Sequence, residues 1–182
     1  MTHEIRTYGD PALRKKAVDV ERVTDETRAL LDDLLAAMYA DNGIGLAAEQ
    51  IGRTEAVCVV DIPKEMDLTP EGEENNPGVN MPFVLINPEI IKASEKFESR
   101  EEGCLSFPGI YVPVSRPIDI RVRFLDRRGK TCTIDTYGLL ARAIQHEMDH
   151  LNGILLVDRM SQVKRIALSG RLKRLKKANR NK

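Results

Sequence analysis

Residues 118–153 read IDIRVRFLDRRGKTCTIDTYGLLARAIQHEMDHLNG, from Ile118 to Gly153, and this stretch decides the fold class. Its first part clusters and alternates β-formers from Ile118 to Leu125. Arg127-Arg128-Gly129-Lys130 is then a turn into a second β-rich run at 131–136. Two such runs flanking a short polar turn predict a hairpin. The remainder predicts a helix from about Tyr137 to Leu151, stopped by Asn152-Gly153.

Moving upstream, residues 25–40 place Leu30, Leu31, Leu34, Leu35 and Met38 at helical spacing. Thr24 fits as the N-cap, and Asp41-Asn42-Gly43 is a stop signal. Residues 56–62 and 83–92 read as strands. Between them, Pro63 to Pro82 is rich in Glu, Asn, Pro and Gly and has little periodicity, which predicts an exposed loop, mobile or functional. Downstream, a last helix is expected from near Asp158, repeating apolar residues at Val163, Ile166, Leu172 and Leu175. Strands cluster between helices and do not alternate with them, so the class is α+β. The expected architecture is mixed or antiparallel β-sheets packed around a central metal-binding helix, with an N-terminal amphipathic helix and a C-terminal helix.

Composition narrows the setting. A chain of 182 residues is most naturally one domain with a sizeable core. With no Trp and 4% aromatics, that core rests on Leu, Ile, Val and Ala. No apolar run approaches the roughly 18–20 residues that span a bilayer. Met1 to Asp10 has neither the basic start nor the apolar run of a secretory signal, so a cytoplasmic setting is expected. An organellar matrix or stroma would apply to a mature form. Three cysteines argue against a disulfide framework. Cys58 and Cys132 sit in strand-like runs as small hydrophobes, whereas Cys104 follows Gly103 and precedes a Pro-containing turn. The formal net charge is zero, but residues 161–182 carry nine Lys or Arg and no acid. Residues 1–160 therefore read as one domain with a basic C-terminal helix or tail at 161–182. Such a tail either meets a polyanion or is a solvated helix end.

The chemistry centres on His146-Glu147-Met148-Asp149-His150. Histidines at i and i+4 project from one helix face and can grip one metal ion, with Glu147 placed to reach a water beside it. The bland alternative, two surface histidines beside two acids, is weak. These are two of only three histidines in the chain, and they share a face with Leu139 and Ala143. Catalytic sites usually supply three protein ligands. No histidine follows, and Asp158 is the one acid downstream of the helix. Cys104, in Glu102-Gly103-Cys104-Leu105-Ser106, is the best third ligand, and two imidazoles with a thiolate suit Zn²⁺ or Fe²⁺. Gly43-Ile44-Gly45-Leu46-Ala47-Ala48-Glu49-Gln50 is ambiguous by itself, since its glycines fit neither G-x-G-x-x-G nor a P-loop.

Taken together, Gly43–Gln50, Glu102–Ser106 and Gln145–Leu151 resemble, in order, the three signature motifs of the peptide deformylases. The resemblance spans more than half the chain. It implies that Cys104, His146 and His150 hold one divalent metal ion, with water in the fourth place. It implies Fe²⁺ in the cell, with Zn²⁺ or Ni²⁺ possible in purified protein. Glu147 then takes the water proton and passes it to the departing amine, while the Gln50 amide and the Leu105 N–H steady charge developing on the formyl oxygen. Ile44, Leu139 and Ala143 fall at positions of the methionine pocket. The segment around Ile44-Gly45 pairs the peptide backbone as an added strand. The implied substrates are nascent formyl-methionyl polypeptides, and the implied partner of the basic tail is the ribosome; no membrane contact is expected. Several bacterial members carry Arg seven residues after the metal cysteine, where this chain has Tyr111, and the 63–82 loop is longer than in compact members. Arg116 is expected to pair with Asp149 and support the metal helix. Two rivals stand beside this reading: a general metallopeptidase of the H-E-x-x-H type, and a ribosome-binding module with a structural metal. The extra cysteine and the Gln50 motif count against the first, the lack of a fourth ligand against the second.

Overall fold

The architecture is that of a computed structural model, which describes residues 4–180. Met1 to His3 of the N-terminal segment, and Asn181 and Lys182 of the basic tail, lie outside the described residues. The first long helix, α1 (Asp25–Ala40), starts where expected: Thr24 Oγ1 accepts the Thr27 N–H, and Thr27 Oγ1 accepts the Thr24 N–H in return. Asn42, at φ +54°, ends it.

Strands β1 (Gly45–Ala47), β2 (Val57–Val60), β3 (Phe83–Ala93), β6 (Asp119–Leu125) and β7 (Thr131–Tyr137) form one antiparallel sheet in the order β1-β2-β3-β6-β7. Between β3 and β6 the chain leaves this sheet to make a separate antiparallel pair, β4 (Phe97–Gly103) and β5 (Tyr111–Pro117). The expected hairpin at 118–136 forms, with Leu125 opposite Thr131 and Asp126 Oδ1 accepting the N–H groups of Arg128 and Lys130 across the turn.

Alternation along β2 divides the core. Val57 and Val59 pack with Leu30, Leu31, Leu34 and Met38 of α1, while Cys58 and Val60 turn to the other face. There they meet helix α2 (Gly138–Leu151) through Leu140, Ala141, Ile144 and Leu151. Leu140 and Ile144 are fully buried, and each contributes about 1.5–3 kcal/mol. Helix α2 also packs on β5, so it lies between the sheet and the β4–β5 pair. A third cluster joins Val112 and Val114 of β5 to Leu13, Phe107, Leu156 and Leu172.

One expectation needs correction. The C-terminal segment is not one helix but three: α3 (Leu156–Arg159), α4 (Gln162–Ala167) and α5 (Ser169–Arg180). Extended backbone at Met160 and Ser161 breaks the first junction, and Leu168, leaving helical geometry, breaks the second. The apolar phase is lost with them: Val163 and Ile166 are 78% and 67% exposed, whereas Leu172 is buried. The 63–82 segment is the mostly exposed loop expected, with some local order. It contains a short 3₁₀ turn, Lys64–Met66, and a bridge between Leu68 and Glu74. No helix among the described residues is long and apolar enough to cross a membrane.

Candidate active site

The site forms where the end of β4 meets the middle of α2. Cys104 follows Gly103, the last residue of β4, and enters a turn closed by the Phe107 N–H donating to the Cys104 carbonyl at 2.8 Å. Phe107, fully buried and stacked on Tyr8, fixes that turn. His146 and His150 reach the same place from α2. The Cys104 sulfur lies 3.2 Å from His150 Nε2. One ligand atom from each of Cys104, His146 and His150 lies within 4.8 Å of the others.

This donor set suits a metal ion. Usual Zn–S and Zn–N bond lengths in a tetrahedron put sulfur and nitrogen roughly 3.5 Å apart, close to the observed separation. His146 Nδ1 is 3.1 Å from Glu102 Oε2 and donates to it, which leaves Nε2 as the ligand atom. Glu102 is itself gripped by Arg116, whose Nε and Nη2 donate at 2.7 and 2.9 Å, and by Arg142 Nη1 at 2.7 Å. Burial alone would raise the Glu102 carboxyl. The bonds from His146 and Arg116 outweigh it and hold the pKa down to about 2. Arg116 Nη1 also donates to Asp149 Oδ2 at 2.9 Å, so the expected pair forms. Arg159 braces Asp149 from outside.

Glu147 points into the same space. Its residue is 4% exposed, its Oε2 has no hydrogen-bond partner among the described residues, and burial pushes its pKa up to about 7. Gly45 faces it so closely that a Cβ there would collide with Glu147 Oε1. Gln50 is buried, its Oε1 accepting the Ala47 N–H at 2.9 Å. Its Nε2 donates to Ser106 Oγ at 3.1 Å and faces the Cys104 sulfur at 3.7 Å.

A cleft of about 630 Å³ opens above these groups. Of the residues expected from sequence, Ile44, Gly45, Gln50, Cys104, Leu105, Leu139, Ala143, His146 and Glu147 all line it. His150, 1% exposed, lies beneath. Tyr111 is at the mouth, its ring lying against Gly103. Sequence reasoning missed the roles of Glu102, Ser106 and Arg142. The first two were visible inside the cysteine motif, and Arg142 lies one turn before His146.

Two imidazoles and a thiolate beside a buried carboxyl, at the floor of a cleft in an α+β frame, define a metallohydrolase. The profile of the polypeptide deformylase family matches residues 2–166. A peptide deformylase of Mesorhizobium japonicum is 46% identical over 168 residues, covering 92% of this chain and 89% of that protein. One from Prochlorococcus marinus is 47% identical over 156 residues, covering 86% and 71%. The crystal structure of the Ehrlichia chaffeensis peptide deformylase superposes with a TM-score of 0.83 at 35% identity, covering 96% of each chain. A plant peptide deformylase gives 0.85 at 36%, covering 98% of this chain and 91% of that one. The chain belongs to the polypeptide deformylase family: it is a metal-dependent hydrolase that removes the N-formyl group from nascent polypeptides. Neither the general metallopeptidase nor the structural-metal reading is favoured.

Proposed function

We propose that Cys104, His146 and His150 hold the catalytic ion and that Glu147, Gln50 and Leu105 carry out the chemistry around it. The observation that carries this is the convergence of the three donor atoms beside a buried carboxyl, that of Glu147, whose Oε2 has no hydrogen-bond partner among the described residues. A divalent ion bound there supplies Lewis acidity, lowering the pKa of water toward neutrality and polarising the formyl carbonyl. Glu147 accepts the proton of the attacking water and returns it to the amine as the C–N bond breaks, giving formate and a free N-terminus. The Gln50 side-chain amide and the Leu105 N–H donate to the formyl oxygen as it gains negative charge. Gln50 is well prepared for this, since its carbonyl is committed to Ala47 and its orientation is fixed by Ser106.

In this reading Ile44, Leu139 and Ala143 enclose the methionine side chain. Strand β1, at the edge of its sheet, accepts the peptide backbone near Gly45 as an added strand. The resident ion is Fe²⁺ in a cytoplasmic setting, with Zn²⁺ or Ni²⁺ able to take its place, since mixed sulfur and nitrogen donors accept all three. The decisive assay is formate release from a formyl-Met tripeptide by anaerobically prepared Fe²⁺ and Ni²⁺ protein. Wild type should turn over, and Glu147→Ala should lose at least about a hundredfold in kcat while keeping its metal. Absence of formate from folded, metallated wild type would sink the reading.

The basic segment at 161–182 is assigned to ribosomal RNA, as a docking element appended to the 1–160 domain. Lys173, Arg174 and Lys177 of α5 are exposed, while Leu172 and Asn179 tie the helix to the body of the molecule. Replacing those three cations with Gln should weaken ribosome binding and flatten its salt dependence. Affinity that does not change would exclude the tail.

A further inference from the structure

The helix that carries both imidazoles begins without a cap of its own: Tyr137, its N-cap residue, makes no side-chain hydrogen bond to it. The first N–H groups of a helix nevertheless need acceptors. One is supplied by the loop between β2 and β3. Asp67 Oδ1 accepts the Leu139 N–H at 2.8 Å, and Asp67 itself is 8% exposed. Its Oδ2 accepts from Asn76 Nδ2 at 2.6 Å. Asn76 in turn clasps the backbone of Tyr137, donating to its carbonyl and accepting its N–H, both at 3.0 Å. The loop closes on a bare glycine: a Cβ at Gly138, where φ is +59°, would lie 2.7 Å from Asp67 Oδ1 and from Asn75 Nδ2. A carboxylate at this end is also favoured by the helix dipole.

The two ends of α2 are thus held by different means. Its C-terminal half, with His146, Glu147 and His150, is braced by Glu102, Arg116 and Arg159. Its first turn, with Leu139 at the wall of the cleft, is held by Asp67 and Asn76. We infer that Asp67 is a specificity-determining positioning residue: by fixing the first turn of α2 it sets where Leu139 stands in the methionine pocket. This rests on the proposed pocket role of Leu139 and Ala143. Removing Asp67 loosens the pocket wall and leaves the metal-binding turn seated. The loss therefore appears in substrate binding and side-chain selectivity before it appears in turnover.

The test compares metallated wild type with Asp67→Ala and Asp67→Asn on formyl-Met and formyl-Ala tripeptides. Asp67→Ala should raise KM for the Met substrate by roughly three- to tenfold, the size of a lost helix cap, with kcat within about twofold. Its preference for Met over Ala should narrow. Asp67→Asn keeps an oxygen that can accept the Leu139 N–H, and should restore most of both. Unchanged KM and selectivity in Asp67→Ala, or failure of Asp67→Asn to restore them, would overturn the inference while wild-type turnover left the functional reading standing. No turnover by wild type would instead remove the reading beneath it. Should Asp67→Ala not fold, Asn76→Ala frees the Asp67 carboxylate by removing the amide bonded to its Oδ2, and a smaller rise in KM with a narrowed preference is then required of it.

Discussion

Glu49 stands beside Gln50 and is wholly enclosed, and among the described residues neither of its carboxylate oxygens has a partner outside its own backbone N–H. Burial pushes its pKa up to about 8, with Glu147 adding repulsion. The unfolded chain ionises this group near 4.5, so between about 4.5 and 8 the folded protein keeps a proton that the unfolded chain loses. Stability therefore falls as pH rises through that window, by about 1.4 kcal/mol per pH unit from this group alone. Glu49→Gln, which cannot ionise, should gain stability over wild type progressively from pH 5 to pH 8 in urea unfolding. An advantage that is the same at both pH values would mean that Glu49 titrates normally. At this scale the convergence of His146 and His150 was legible in the sequence because i, i+4 spacing on a helix is itself a geometric statement. The fate of Glu49 was not: within Ala47-Ala48-Glu49-Gln50 nothing distinguishes a buried acid without partners from a buried amide with several.

Arg116 joins two elements, holding Glu102 of β4 and Asp149 of α2 from its place on β5. Its side chain is 5% exposed, so Arg116→Ala would remove a buried cation shared by two carboxylates, leaving Glu102 to Arg142 and His146 and Asp149 to Arg159. A loss of about 1.5–3 kcal/mol in unfolding free energy is expected, together with weaker metal retention; unchanged stability and metal content would dismiss the bridge. Lys should restore only part, lacking the forked donor geometry. The pair of strands that Arg116 fastens was not anticipated from sequence. Phe97–Gly103 reads FESREEG, in which only Glu102 is buried, and Tyr111–Pro117 carries two prolines that argue against a strand. Helices α1 and α2 and the 118–136 hairpin were legible because their apolar periods, caps and turn residues agree. A C-terminal helix was legible too, but its division into three was not, because two short breaks reset the phase of an otherwise regular apolar repeat. The ordering of the 63–82 loop depends on Asp67 and Asn76 meeting Tyr137–Leu139, a contact across 61–72 residues that no local pattern encodes.

At the scale of the molecule, the five-stranded sheet closes as though residues 94–118 were absent: the Ser94 N–H donates to the Asp119 carbonyl at 3.0 Å, bringing the start and end of that excursion together. The sulfur donor belongs to the excursion, and the imidazole donors belong to the helix packed on the sheet. These two parts share no strand ladder. A metal ion held by Cys104, His146 and His150 would be a rivet between an insert and its frame, making affinity and seating linked quantities. Whatever loosens the β4–β5 pair must weaken the ion by the same free energy that the ion's departure loosens the pair.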